Sequence, residues 1–374
     1  MNKQSTRIFA AFVALALVGA ACGSDSASES SDPPAAEPSA TEPSATEPSA
    51  TEPSADSVED DVDEPGVVPV PSPYCIGECL EAVTLQADPL SIDCTVGLSW
   101  NSAGHPFGAN AISRSEDAAA EFFPNMTLIT GEGQGDSLTQ VSQVEDLLVQ
   151  GIDVLIISPT DAAALTPVVE KAKEQGVQVI ASDRNVDTDV ATYIGADNVL
   201  AGEVAGTHIS ELLGGEGKLV VLQGSLGASP TIDRQAGLLN TLADGIEVIA
   251  DQTANYDRAE GLTVMEDYLQ RFGSGEIDAV FAHNDEMSLG AIQAIEEAGR
   301  ADEIVVVGID AQESALDAVE DGSYAATVVY AIPSPEHLLA AAKLCAGETL
   351  PKRIVNSALL VTADNVADVR GTTF

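Results

Sequence analysis

The stretch VFAHNDEMSLGA, residues 280–291, decides the fold because it joins two different hydrophobic patterns. Apolar residues continue to Ala282 as in a buried strand, and four polar residues, 283–286, follow without a break. Apolar residues then return at helical spacing from Met287 onward. The pattern therefore predicts a buried strand that ends on polar residues and leads directly into an amphipathic helix.

The same alternation of strand and helix extends over most of the chain from residue 94. Near-continuous apolar strands that alternate with helices are typical of parallel sheets covered on both faces. The strands fall into two series of about equal length, which predicts an α/β fold with two similar, doubly wound parallel-sheet lobes. The predicted strands are 94–100, 126–130, 154–158 and 177–182 in the first series, and 218–224, 246–252, 279–285 and 304–310 in the second.

Polar residues stand at the ends of several of these strands. Because ligands bind outside the carboxyl ends of the strands in open parallel sheets, such residues predict one site assembled from several segments. Each of them alone is also consistent with a helix cap, and Asp285 in particular is predicted to cap a helix that begins at Glu286. The strand-end residues are Ser99, Trp100, Asn101, Asp183, Arg184, Asn284 and Asp310.

The first 22 residues have the pattern of an export signal. Lys3 and Arg7 precede an apolar run that ends in small residues before Cys22. A cysteine in this place resembles the lipidated residue of a bacterial lipoprotein, although Gly19 stands where leucine is usual. We therefore predict a lipoprotein signal peptide over residues 1–22 and an exported protein, lipid-anchored to the outer face of the cell membrane. An ordinary signal peptide with a chance cysteine is the alternative.

Residues 23–73 are rich in Pro, Glu, Ser and Thr and contain the tandem repeat TEPSA. The segment has too few apolar side chains for their burial to offset the entropy cost of ordering the chain. This composition predicts a disordered acidic stalk. Acidic residues also dominate the rest of the chain, and the formal net charge of the whole chain is −45. A surface of this sign repels phosphates and acidic lipids, so we expect no nucleic-acid partner and membrane attachment only through the lipid anchor.

Four cysteines remain besides Cys22, namely Cys75, Cys79, Cys94 and Cys345. An even number in an exported protein favours two disulfides. The connectivity stays open, and the preferred interpretation is a bridge that ties the lead-in segment 74–93 to the globular part. No histidine or further cysteine pair lies at ligand spacing from Cys75 and Cys79, so the sequence predicts no metal site.

From about Thr95 to Thr362 the sequence resembles the type I periplasmic binding proteins, in particular the ribose-binding branch of sugar-transporter receptors. The resemblance rests on the motifs ISPTDAAAL, ASDR, GADNVLAGEVAG, VLQG, RQAG, YDRAEGLTVM, VFAHNDEMSLGA and VVVGID. It implies a monomeric binding protein without cofactor or enzymatic activity. Such a protein captures a monosaccharide or related polyol between two lobes and delivers it to the permease of an ABC importer. A receptor that feeds a chemoreceptor or histidine kinase is the alternative.

The resemblance also implies three chain crossings between the lobes, near residues 196–198, 330–333 and 360–363. The first lobe then comprises 94–196 plus 331–361, and the second comprises 197–330 plus 362–374. Closure of two hinged lobes on a ligand is a shift between conformations that bind it with different affinity.

Matching motifs assign ligand-binding roles to individual residues. Asp183 and Arg184 are expected to accept from and donate to sugar hydroxyls, because charged groups make strong hydrogen bonds with them. Phe107 and Tyr256 are expected to flank the apolar faces of the sugar ring. Core packing of the two rings and a surface ion pair of Asp183 with Arg184 remain alternatives. The complete predicted set is Ser99, His105, Phe107, Asp183, Arg184, Arg234, Tyr256, Asn284, Asp310 and Tyr330.

Some residues depart from the ribose-binding pattern. His105 replaces an asparagine, Gly108 replaces a second ring-stacking phenylalanine, and Tyr330 replaces a glutamine. The loop WNSAGHPFGAN is two residues longer than usual, and the only tryptophan of the chain, Trp100, is predicted to lie in it at the mouth of the cleft. These departures predict a ligand other than ribose, such as another pentose, a hexose or a polyol. His105 as plain loop surface remains an alternative.

An enzymatic site is not supported by the remaining motifs. TGEGQGDS, residues 130–137, follows a strand but lacks the G-x-G-x-x-G spacing of a dinucleotide-binding loop. The chain has no G-x-S-x-G nucleophile motif, and its four histidines have no evident nucleophile beside them. The sequence therefore predicts a binding protein.

Overall fold

A computed structural model describes residues 67–374 of the chain. The predicted signal peptide, Cys22 and the predicted stalk up to residue 66 lie outside the described residues. From residue 67 onward, no helix is long and apolar enough to cross a membrane. Two six-stranded sheets, each covered by helices, form two lobes.

The first sheet is parallel throughout. Its strands are β1 (Cys94–Trp100), β2 (Met126–Glu132), β3 (Val154–Ile157), β4 (Gln178–Ser182), β5 (Thr192–Ala196) and β11 (Arg353–Asn356), in the order β11-β5-β4-β3-β1-β2. The helices of this lobe are α1 (Glu78–Val83), α2 (Pro106–Phe122), α3 (Ser137–Val149), α4 (Ala162–Glu174) and α10 (Glu336–Cys345), with a 3₁₀ turn at Pro89–Ser91. All four residues of β3 are buried, as expected for a central strand with helices on both faces.

The second sheet is parallel except for one edge strand. Its strands are β6 (Glu216–Gln223), β7 (Gly245–Thr253), β8 (Ala279–Ala282), β9 (Val305–Asp310), β10 (Ala326–Val329) and β12 (Leu360–Val361), in the order β12-β10-β9-β8-β6-β7. β12 pairs antiparallel with β10. The helices of this lobe are α5 (Asn198–Leu212), α6 (Ser229–Thr241), α7 (Arg258–Arg271), α8 (Asp285–Glu297), α9 (Glu313–Asp321) and α11 (Val366–Val369).

The two lobes repeat one topology. The order β5-β4-β3-β1-β2 of the first sheet recurs as β10-β9-β8-β6-β7 in the second, which confirms two similar doubly wound lobes. In each sheet the strand order reverses beside the first strand of the lobe, so a crevice opens at the carboxyl ends there. This crevice is where the polar strand-end residues collect.

The third crossing between the lobes lies earlier than predicted. Leu360 and Val361 pair with Val328 and Thr327 at the edge of the second sheet, so they belong to the second lobe. The chain therefore crosses between β11 and β12, and not at 360–363. The first lobe ends near Asn356 because the apolar pair that follows completes a sheet edge of the other lobe.

The helix after the opening motif begins one residue earlier than predicted. α8 starts at Asp285, and its N-cap is Asn284, whose side-chain oxygen accepts from the amide of Met287 at 3.0 Å. The predicted cap at Asp285 is therefore wrong. Asp285 is fully buried and its carboxylate serves the interior of the second lobe, where it accepts from the Tyr324 and Thr327 hydroxyls.

Two disulfides join the four cysteines, as predicted, but the preferred bridge from segment 74–93 to the globular part is wrong. Cys75 pairs with Cys79 inside the segment, because the turn through Gly77 brings their Cα atoms to 5.1 Å. Cys94 pairs with Cys345 and joins β1 to the end of α10.

Non-covalent contacts hold the lead-in segment instead. The Tyr74 carbonyl accepts from the Ser357 amide at 2.9 Å, and the Tyr74 side-chain hydroxyl lies 2.6 Å from the hydroxyl of Thr372. Contact with the fold begins before the predicted end of the stalk at residue 73. The Ser72 amide donates to the buried carboxylate of Glu336 at 2.6 Å.

Candidate functional site

A cavity lies where the carboxyl ends of the two sheets face each other. It brings together every predicted ligand-binding residue except Ser99. Asn101 was among the strand-end residues predicted from the sequence but not in the predicted ligand-binding set, and Pro230 was in neither. The residues that line the cavity are Asn101, His105, Phe107, Asp183, Arg184, Pro230, Arg234, Tyr256, Asn284, Asp310 and Tyr330.

Ser99 lies in the strand and not at the cavity. Its hydroxyl donates to Gln143 at 2.8 Å and accepts from Gln140 at 3.2 Å, and both partners are on α3. The side chain is fully buried between strand and helix, so its polarity serves the packing of α3. Asn101, two residues later, is the polar residue of this strand end that reaches the cavity.

Asp183 is held by the protein on both carboxylate oxygens. One oxygen accepts from the Tyr330 hydroxyl at 2.8 Å and the other from the Ser158 hydroxyl at 3.0 Å. The Asn101 amide in turn donates to the Ser158 oxygen at 2.9 Å. Asp183 has φ +66°, a conformation that aspartate adopts more readily than most residues. Protein contacts alone therefore fix this carboxylate at the end of β4.

Asp310 has a different environment at the end of β9. Its carboxylate accepts no hydrogen bond from any other residue in the described part, and the nearest cation is Arg234 Nη1 at 3.9 Å. The side chain is almost fully buried. Burial raises the pKa of Asp310 well above its usual value, an effect that Arg234 partly opposes. The geometry leaves this carboxylate able to accept hydrogen bonds from a molecule in the cavity.

Two arginines balance the two carboxylates. Arg184 Nε is buried, lies 3.6 Å from Asp183 and donates to no acceptor among the described residues. Arg234 donates through Nε to Asn198 at 2.9 Å and through Nη1 to the His283 carbonyl. Its guanidinium also lies 4.4 Å from the centre of the Tyr330 ring. Two negative and two positive side chains favour a ligand without net charge.

Aromatic rings form the apolar part of the cavity wall. Phe107 packs with its ring centre 5.4 Å from that of Tyr330. At Gly108, a Cβ would lie only 1.9 Å from the Ser102 carbonyl oxygen, so the lengthened loop occupies the space beside α2. A side chain at residue 108 would therefore clash with the loop.

Of the four polar residues 283–286, only Asn284 lines the cavity. Its amide donates to the Tyr256 carbonyl at 3.3 Å while its oxygen caps α8. The His283 imidazole is fully buried behind it and accepts from the Gly224 amide at 3.3 Å. Burial lowers the pKa of His283 to about 3, so the ring is neutral. Of residues 283–286, therefore, only Asn284 reaches the cavity, and the others stabilise the turn from strand to helix and its surroundings.

His105 lines the first-lobe side of the cavity, whereas the neighbouring Trp100 is in the core. Burial, together with the Arg184 guanidinium, lowers the pKa of His105, so its imidazole is neutral and can both donate and accept. Trp100 is fully buried as the last residue of β1, and not in the loop at the cleft mouth as predicted. Its ring packs against Phe107, with centres 6.3 Å apart.

Among the described residues, no group of three or more His, Cys, Asp or Glu side chains is placed to hold a metal ion. The arrangement instead combines acceptors, donors and ring faces in a partly enclosed space. Such a set can bind a small molecule that carries several hydroxyls and an apolar face.

Comparison with known proteins agrees with this geometry. Residues 96–338 match the family described as "Periplasmic binding protein domain". The chain is 41% identical over 235 residues to the ribose import binding protein RbsB of Bacillus subtilis (strain 168), which covers 63% of this chain and 75% of that protein.

Solved structures give the same result. An ABC transporter solute binding protein from Bacillus halodurans C-125 with bound myo-inositol has a TM-score of 0.71 and 30% identity, over 75% of this chain and 99% of that one. The fructose-binding periplasmic domain of a hybrid two-component system has a TM-score of 0.70 and 30% identity, over 74% and 93%. The relatives are binding proteins and not enzymes. The chain therefore belongs to the periplasmic binding protein family and is similar to its sugar- and polyol-binding members.

Proposed function

We propose that this protein captures one neutral monosaccharide or polyol between its lobes and delivers it to the permease of an ABC importer. The observation that carries the proposal is the cavity at the facing strand ends, where charged, amide and aromatic side chains from both lobes converge. A neutral polyhydroxylated ligand suits it because the charges of the lining residues balance.

Each part of the cavity has a role in this proposal. The Asp310 carboxylate accepts from ligand hydroxyls, and Arg184 Nε donates to a ligand oxygen. Asn284 adds an amide, and the rings of Phe107 and Tyr256 lie against C–H faces. Lobe closure removes the ligand from water, so each hydroxyl that lacks a partner lowers affinity by about 1–3 kcal/mol. Selectivity among stereoisomers follows from that penalty.

Tyr330 supports a ligand other than ribose. The ring lies between Phe107 and Arg234, and its hydroxyl donates to Asp183. A phenol here takes one acceptor position of Asp183 that a ligand hydroxyl would otherwise occupy. We therefore expect a ligand that places its main donors near Asp310, in the second lobe.

A thermal-unfolding panel tests the function. The purified chain is heated with D-ribose, D-xylose, L-arabinose, D-fructose, D-galactose, xylitol and myo-inositol in turn. A ligand that binds only the folded protein raises the free energy of unfolding by RT ln(1 + [L]/Kd), about 2.7 kcal/mol at one hundred times Kd. At least one compound should raise Tm with saturation. Unchanged Tm across pentoses, hexoses and polyols at millimolar concentration would contradict the proposed ligand class.

Sensing is the second candidate function, favoured by the likeness to a periplasmic domain of a hybrid two-component system. Deletion of the gene separates the two. Loss of uptake of the bound compound, labelled with ¹⁴C, supports import. Normal uptake with loss of a transcriptional response to the compound supports sensing.

We also propose that the protein is attached to the outer face of the cell membrane through a lipid on Cys22 and acts as a monomer. Globomycin, which blocks lipoprotein signal cleavage, should cause a larger precursor to accumulate. Processing that is unchanged by the drug would contradict lipidation.

A further inference from the structure

The rims of the two lobes touch beside the ligand cavity. The segment SLGASP, residues 225–230, leads into the first turn of α6 in the second lobe and meets two segments of the first lobe. The Ala162 amide donates to the Gly227 carbonyl at 3.2 Å, and the Asn185 amide donates to the Ser229 hydroxyl oxygen at 2.9 Å. Both donors are backbone groups: Ala162 begins α4, and Asn185 lies in the connection after β4, directly after Arg184.

Gly227 lies close to Asp161 of the first lobe. A Cβ at this residue would lie 1.9 Å from Asp161 Oδ2 on the opposite lobe. Asp161 cannot easily turn away, because its other oxygen accepts from the Ala164 amide at 2.7 Å as the N-cap of α4. Gly227 also has φ +82°, which favours glycine. Only a residue without a side chain allows the two rims to meet here.

We propose that residues 225–230 are a clasp that holds the lobes closed, and that Gly227 and Ser229 are positioning residues for ligand retention. The inference rests on the proposed capture of a ligand between the lobes. Opening of the cleft separates the rims and breaks both hydrogen bonds, so the contacts stabilise only the closed state. They touch no ligand, so their contribution is the same for every ligand.

The clasp is joined to the binding site through the chain itself. Asn185 directly follows Arg184, and Ser229 directly precedes Pro230, and both neighbours line the cavity. Closure of the rims therefore sets the position of cavity residues from both lobes. A weakened clasp should speed ligand release without a change in which ligand is preferred.

Cross-linking tests the contact without any sugar. In a full chain with Cys22→Ser, so that no native free thiol remains, the pair Asn185→Cys/Ser229→Cys is treated with a short bis-maleimide. We expect an intramolecular cross-link in the pair and none in either single-cysteine variant. No cross-link, whether without sugar or with D-ribose, D-fructose, xylitol or myo-inositol, would overturn the clasp.

Ligand dissociation rates test the role of the clasp. They are measured by stopped flow for each of the four compounds that binds. Ser229→Ala removes one hydrogen bond of about 0.5–1.5 kcal/mol, so release should be about two- to tenfold faster, by the same factor for each compound. Ser229→Thr, which keeps the hydroxyl, should restore the rate. Gly227→Ala should act at least as strongly.

Gly322→Ala is the matched control for Gly227→Ala. Gly322 has φ +87°, and a Cβ there meets no atom within 4 Å. Both variants incur the same backbone strain, but only Gly227→Ala obstructs closure, so Gly322→Ala should lower Tm and leave the release rate unchanged. Wild-type release rates in both Ser229→Ala and Gly227→Ala would overturn the proposal.

The outcomes separate the clasp from the proposed function. A cross-linked pair in a protein that binds none of the sugars or polyols would contradict the ligand class and support the clasp. Sugar binding without cross-linking would support the ligand class and contradict the clasp.

Discussion

Asp183 and Asp310 occupy equivalent places in the two lobes, at the ends of β4 and β9, yet their carboxylates are bonded differently. The Tyr330 hydroxyl donates to one oxygen of the Asp183 carboxylate and the Ser158 hydroxyl to the other, whereas no described residue donates to the Asp310 carboxylate. Equal topology therefore does not give equal roles. The first carboxylate is part of the scaffold that shapes the cavity, and the second is left with its acceptor capacity for a ligand.

The largest effect that this difference predicts is on ligand affinity in Asp310→Asn. Hydrogen bonds to charged groups contribute about 1.5–3 kcal/mol, so affinity should fall about 10- to 150-fold in a calorimetric titration. Tm should not fall, because no described residue donates to the Asp310 carboxylate and the cost of burying its charge outweighs the attraction of Arg234. A variant with wild-type affinity would break the comparison, since Asp310 would then not be the ligand acceptor.

Ligand affinity should fall as pH falls, because ligand hydroxyls donate to the ionised form of Asp310. Burial raises the pKa of this carboxyl, and ligand hydroxyls donate to the carboxylate form. Affinity should therefore be full above that raised pKa and decrease as pH falls through it, by at most about tenfold per pH unit. Calorimetry between pH 5 and 8 measures this slope, and Asp310→Asn should remove it. An equal slope in the variant would assign the titration to another group.

Asp183→Asn should weaken binding and lower stability together. The asparagine NH₂ faces either the Tyr330 or the Ser158 hydroxyl, both of which now donate, so one hydrogen bond is lost in a buried site. We expect a loss of about 1–3 kcal/mol in the free energy of unfolding, measured by urea denaturation. Unchanged stability would mean that the carboxylate is not a scaffold group, and the contrast with Asp310 would disappear.

Tyr330→Phe should give the smallest change. The ring keeps its packing against Phe107 and Arg234. Phe removes the hydrogen bond to the Asp183 carboxylate and the longer one accepted from the Asn198 amide at 3.3 Å, each worth about 0.5–1.5 kcal/mol of stability. Affinity should change only a few-fold. If binding falls as much as in Asp310→Asn, the phenol contacts the ligand directly, and Asp183 is shared between protein and ligand.

The sequence predicted the features that depend on hydrophobic period and on strand ends. Alternating apolar runs predicted both sheets, and most of the cavity residues follow strand ends within quoted motifs. Single-residue details depend on side-chain direction, which periodicity does not contain. Ser99 was predicted to bind the ligand but points to α3, whereas Asn101 at the same strand end lines the cavity and was not in the predicted ligand-binding set.

Local geometry also decided cases that spacing left open. Asn284 and Asp285 are both good N-caps, and only the backbone of the turn shows that the first one caps α8. The loop after Trp100 has the polar composition of a surface segment, yet the indole itself belongs to the core. Cys75 and Cys79 pair with each other because of a turn at Gly77, which the spacing alone did not reveal.

A crystal structure of the protein with the compound that raises Tm most tests the central claim directly. We predict one ligand in the cavity between the sheets, with a hydroxyl oxygen within 2.5–3.0 Å of the Asp310 carboxylate and its C–H face against Phe107 or Tyr256. Ligand density outside this cavity, or a bound ligand with no hydroxyl near Asp310, would contradict the account.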